Sequence, residues 1–146
     1  MKYKYIFFDW GYTLINKFKN VDSEINSILV KYNLKWDDIF RKWKNYQILN
    51  SLGKVTEKEI YKDLSLILNI SEEDLEKIDM LLLESHILDK ETKDTIIKLY
   101  EQGYYLGIIS NNSIRNVEYI LEREGIKKYF NKIVISEEVK ERKPNL

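Results

Sequence analysis

Three short apolar runs, separated by stretches with helical spacing, constrain this chain more than any other feature. Residues 3–8 (Tyr-Lys-Tyr-Ile-Phe-Phe) are aromatic and β-branched and run into Asp9-Trp10-Gly11, which reads as a buried strand ending in a turn. Residues 104–109 form a second apolar run that ends in Ser110-Asn111-Asn112, and residues 132–136 form a third. Between them, residues 90–102 carry Ile96, Leu99 and Tyr100 at helical spacing, and Gly103 stops that helix. Ser113 can cap a further helix through Ile114, Val117, Ile120 and Leu121, which Gly125 ends. Strands joined through helices need right-handed crossovers and a parallel sheet. The expected fold class is therefore α/β, a three-layer, Rossmann-like parallel sheet. Ligands of such sheets bind beyond the carboxyl ends of the strands, where Asp9 and Ser110 are expected.

One long helical stretch interrupts this alternation. Residues 21–32 place Val21, Ile25, Ile28, Leu29 and Tyr32 at helical spacing, and residues 36–49 place Trp36, Ile39, Phe40 and Trp43 on one face. Thr56-x-x-Glu59 is a capping box ahead of Ile60, Leu64, Ile67 and Leu68. Ser71 starts a fourth helix through Leu75, Ile78 and Leu82. Nothing between Asn16 and Leu88 resembles a strand, so residues 16–88 read as an all-helical insert. Residues 1–15 and 89–146 then form the α/β core.

Composition narrows the chemistry. Lys and Arg number 24 and so do Asp and Glu, so no basic surface points to nucleic acid or an anionic membrane. With no cysteine and one histidine, His86, thiolate and histidine-rich metal sites are excluded. His86 itself reads as a helix-end residue. No apolar run approaches the ~20 residues of a membrane span. The run before Asp9 is too short for a signal peptide's apolar region, so a cytoplasmic location is the expectation.

The strand ends carry the reactive groups: Asp9 after the first, Ser110-Asn111 after the second, and Lys143-Pro144 after the third. A carboxylate, a hydroxyl and a cation around one cleft suit displacement at phosphorus. A divalent ion would offset repulsion between carboxylate and phosphate. Taken alone, Asp9 reads as a turn residue, Ser110-Asn111 as a helix cap and Lys143 as a solvated lysine. Capping and phosphate binding are compatible, because both use one helix N-terminus.

In order, these segments resemble the haloacid dehalogenase (HAD) superfamily. Phe-Phe-Asp9-Trp-Gly-Tyr-Thr13-Leu is similar to its first motif, Gly-Ile-Ile-Ser110-Asn111-Asn112 to its second, and the segment ending in Lys143-Pro144 to its third. The insert resembles the family's helical C1 cap. The resemblance implies a Mg²⁺-dependent phosphatase acting on a small phosphorylated metabolite through an aspartyl-phosphate. It makes Asp9 the nucleophile and a metal ligand, and the Gly11 backbone carbonyl a second ligand. Ser110, Asn111 and Lys143 would hold the phosphoryl group, and Thr13 would support the loop.

Two departures stand out. Gly11 occupies the place of the family's usual acid/base aspartate, whose loss typically costs ~10²–10⁴-fold. Members with glycine there are nevertheless usually classed as hydrolases. The acidic fourth motif has no counterpart before Leu146, and its strand normally lies beside the first. An open sheet edge is therefore expected, covered by a dimer partner, a second chain or a continuation of a longer protein. A catalytically silent domain that binds a phosphorylated ligand or a partner is the alternative, and a haloacid dehalogenase a lesser one.

Overall fold

A computed structural model describes residues 4–145. The expected first-strand residue Tyr3 lies outside them. Strands β1 (Tyr5–Phe8), β4 (Tyr105–Ser110) and β5 (Lys132–Ile135) form a parallel sheet in the order β1-β4-β5. Helix α5 (Lys90–Glu101) precedes β4, and α6 (Ile114–Arg123) links β4 to β5. The fold is α/β, with a Rossmann-like parallel core as the alternation requires. Phe8 pairs with Ile108, and Ser110 with Ile135, so all three strands end at the same side of the sheet.

Helices α1 (Asp22–Leu29), α2 (Trp36–Asn50), α3 (Glu57–Leu68) and α4 (Glu72–Ser85) lie between β1 and α5. Their starts follow local chemistry. Thr56 Oγ1 accepts from Glu59 N while Glu59 reaches back to Thr56 N, and Ser71 Oγ accepts from Asp74 N. Asp89 caps α5 through Thr92 N. Gly103, after α5, has φ +83°, a conformation that costs glycine nothing.

Side chains pack into two clusters. Ile25, Leu29, Ile39, Leu64, Leu75 and Ile78 join the four helices, while Trp10, Ile96, Leu106, Ile108, Val117 and Ile120 fill the space between sheet and helices. Each such side chain contributes about 1.5–3 kcal/mol on burial.

The structure corrects the sequence reading at three points. First, the insert is not strand-free: β2 (Lys17–Phe18) and β3 (His86–Ile87) form an antiparallel ribbon where the helical segment leaves and re-enters the core. Two residues per strand are too few for periodicity to register. Second, β1 is not buried. It pairs with β4 alone among the described residues, leaving Tyr5 64% and Phe7 53% exposed. The Phe7 ring lies over Gly107, where an added Cβ would stand 2.3 Å from a ring carbon. Third, Phe40, Ile67 and Tyr100 are exposed although their spacing matches the inward faces; Tyr100 meets the Tyr129 ring at 5.3 Å and is still 42% exposed. After β5 the chain forms the short helix α7 (Ser136–Val139) and then returns to the strand ends.

Candidate active site

The parallel pairing of β1 with β4 fixes the site. With Phe8 opposite Ile108, Asp9 and Ser110 leave adjacent strands at the same end. Ser110 is 4% exposed. After Asp9 the chain turns tightly: Trp10 O accepts from the N–H groups of Thr13, Leu14 and Ile15, and Tyr12 takes a left-handed φ of 59°. Trp10 and Leu14 are buried and anchor that turn, while Tyr12 is exposed. Thr13 is exposed and joins the turn through its backbone.

Lys143 completes the group from the far end of the sequence. Its Nζ donates to Asp9 Oδ1 at 2.7 Å and to Ile109 O at 2.8 Å, next to Ser110. The Trp10 N–H also donates to Asp9 Oδ1, at 2.8 Å. Among the described residues, Oδ2 is left as the unengaged oxygen of Asp9. The ion pair is partly exposed and worth no more than about 1 kcal/mol. Its consequence is positional, since it sets a cation beside the carboxylate.

Asn111 holds the Lys143 segment in place. Lys143 N donates to Asn111 Oδ1 at 2.8 Å, and Asn111 Nδ2 donates to Lys143 O at 3.2 Å. The residues expected from sequence (Asp9, Ser110, Asn111 and Lys143) are thus brought to one place. Reasoning from sequence missed the residues that join this end of the sheet to the helical segment. Ser136 Oγ donates to Ser51 O at 2.5 Å and accepts from Asn112 N at 3.0 Å. Arg142 donates to the Ser51 hydroxyl. Glu137 Oε2 accepts from Ile114 N at the start of α6. Nothing in the local sequence around these residues marks partners so distant along the chain.

A cleft of about 740 Å³ opens beside this group, between the strand ends and the helical segment. Asn111 and Tyr12 line its core side; Trp36 and Phe40 line the opposite side.

A family model for haloacid dehalogenase-like hydrolases matches residues 6–146. The chain belongs to that family. No curated protein matches this HAD-like hydrolase. Among solved structures, a HAD family enzyme from Bacteroides thetaiotaomicron superposes with a TM-score of 0.74 at 18% identity, covering 97% of this chain and 72% of that one. An aspartate-to-alanine mutant of that enzyme, in complex with magnesium and inorganic phosphate, gives 0.73 at 19%, with the same coverage of 97% and 72%. A predicted phosphoglycolate phosphatase from Haemophilus somnus gives 0.55 at 22%, covering 99% and 67%. At these identities the likeness establishes a shared fold.

For a metal, the strand end presents the hard oxygens of the Asp9 carboxylate, to which the family resemblance would add the Gly11 carbonyl. Among the described residues no three His, Cys, Asp or Glu side chains gather to cage an ion. Such a donor set fits a magnesium ion that keeps waters and shares its shell with a substrate phosphate. No helix of the described residues is long and apolar enough to cross a membrane.

Proposed function

We propose that this HAD-like hydrolase is a Mg²⁺-dependent phosphatase acting on a small phosphate monoester, with Asp9 as nucleophile and residues 16–88 as a cap over the cleft. The observation that carries the reading is the contact of Lys143 Nζ with both Asp9 Oδ1, at 2.7 Å, and the carbonyl of Ile109 beside Ser110. One cation thereby touches the nucleophile's carboxylate and the strand end that bears the hydroxyl.

In this mechanism Asp9 Oδ2 attacks phosphorus. A carboxylate O–P bond forms, the ester P–O bond breaks, and the electron pair leaves with the alcohol oxygen. Lys143 and the Ser110 hydroxyl stabilise charge on the equatorial oxygens. Gly11 supplies no side-chain acid, so the departing oxygen takes its proton from water. A second water then attacks the aspartyl-phosphate phosphorus, releasing inorganic phosphate and restoring Asp9. Magnesium, held by Asp9 and the Gly11 carbonyl, would offset the repulsion between carboxylate and phosphate. The magnesium-bound, phosphate-bound relative is consistent with this ion and ligand.

A second reading, a silent domain that binds a phosphorylated ligand, is favoured by Gly11. Turnover of an aryl phosphate with Mg²⁺, compared with Asp9→Asn, separates the two. Hydrolysis lost by at least about 10³-fold in the variant supports the enzyme. Equal rates, or none from either protein, eliminate it.

A further inference from the structure

We propose that the cleft selects phosphate monoesters whose leaving group carries a flat aromatic or heteroaromatic ring, as a nucleotide does. The phosphoryl end of this inference rests on the reading above; recognition of the ring rests on other residues.

Aromatic side chains face the cleft from both sides. Tyr12 and Phe18 lie on the core and hinge side with ring centroids 6.0 Å apart, and Trp36 and Phe40 lie on α2 with centroids 5.8 Å apart. Three of these rings are exposed, Tyr12 at 86%, Phe18 at 47% and Phe40 at 43%, while Trp36 is partly buried against the helical core. Phe40 falls on the face of α2 that spacing marks as inward, yet it points to the cleft. Opposed rings give a flat ligand two surfaces for stacking, an interaction that tolerates differences in ring identity.

Polar groups in the cleft fit the same ligand better than a bare sugar. Asp79 is the one carboxylate among the described residues lining it, and it already accepts from Arg115 at 2.6 Å and from Tyr61 at 2.5 Å. Both bonds fall on Oδ2, so a single carboxylate oxygen, Oδ1, is left there to meet vicinal hydroxyls. Gln47 and Asn116 present amides, which pair with the nitrogens and carbonyls at the edge of a heterocycle. Lys44 and Arg142 make the cleft favourable to an anion. A volume of about 740 Å³ falls within the ordinary range for ligands of this size.

The test compares adenosine 5′-monophosphate with ribose 5-phosphate, which share the leaving oxygen and differ in the base. With Mg²⁺, kcat/KM is expected to be about tenfold or more higher for the nucleotide. Phe40→Ala, at a surface position, should narrow that ratio. A ratio near or below one overturns the inference while leaving the phosphatase reading intact. If neither ester is turned over, the aryl phosphate assay still decides the phosphatase reading, and calorimetric binding of the same two compounds to the full chain decides ring recognition. Tighter binding of the nucleotide, weakened in Phe40→Ala, supports ring recognition; equal binding, or none, overturns it.

Discussion

The side-chain amide of Asn111 bonds to the backbone of Lys143 on both sides, accepting from its N–H at 2.8 Å and donating to its carbonyl at 3.2 Å. Both halves of the amide are used, so Asn111 fixes the cation that meets Asp9. Replacing Asn111 with Leu should free the Lys143 segment and lower kcat/KM by about 10–10²-fold. Lys143→Ala should cost about 10²–10³-fold through lost charge stabilisation. Because both losses act through one ammonium group, the double variant should be scarcely worse than Lys143→Ala alone. Additive losses would show that Asn111 acts independently of the lysine.

Gly11 offers a gain-of-function test. An added Cβ meets nothing within 4 Å, and the residue is not held in the left-handed region. Gly11→Asp should therefore fold and place a carboxyl next to the Asp9 turn. A positioned acid matters most where the leaving group is a poor one, so the variant should raise turnover of alkyl phosphates by up to about 10²-fold. Aryl phosphates, which depart readily, should gain much less. The alkyl-to-aryl rate ratio is the measurement, and an unchanged ratio would deny position 11 any acid/base role.

How much was legible in the sequence follows from the range of each interaction. The capping residues Thr56 and Ser71 act within four residues, and the core strands have enough length to show their apolar runs. Asp9, Ser110 and Lys143 could be picked out because each follows a strand, and parallel strands end together. Ser51, Ser136 and Arg142 could not. Their bonds span 85 and 91 residues and use ordinary surface residue types. The β2–β3 ribbon escaped because its partners pair only when the helical insert brings its two ends together. Phe40 misled for a related reason: spacing says that a ring lies on a given face, but only the packed structure says whether protein or an open cleft meets it.

Arg115 on α6 donates to Asp79 on α4, where Tyr61 of α3 donates to the same oxygen. Burial, followed by the bond to Asp79, raises the Tyr61 hydroxyl above its ordinary pKa, so it stays a donor through the neutral range. Arg115→Ala removes one charged donor and leaves Asp79 largely shielded from water. The expected cost is about 1–2 kcal/mol, read as a lower urea midpoint with an unchanged slope. Adding Asp79→Asn to that variant should restore part of the loss, because the penalty comes from the stranded charge. No recovery would mean that the packing of the arginine, and not its pairing, holds the two parts together.

Asp74 supplies a pH-dependent prediction. Its carboxylate is buried at the start of α4, where the Tyr32 hydroxyl donates to Oδ2 at 2.7 Å and the Lys31 and Lys77 ammonium groups stand at 3.6 and 3.5 Å. The tyrosine bond foremost, with the two lysines, holds the carboxyl below its ordinary pKa despite burial. A depressed native pKa means that the unfolded chain binds the proton more readily. The stabilisation is therefore fully present above the unfolded value of about 3.9 and disappears as pH falls through the lower native value. Asp74→Asn should cost about 1 kcal/mol at neutral pH, since it removes a charge-assisted bond. The gap between variant and parent should shrink as the medium is acidified below about pH 4. Paired thermal melts across that range measure it. A gap that persists undiminished in acid would mean that the aspartate acts through shape and neutral hydrogen bonding, not through its charge.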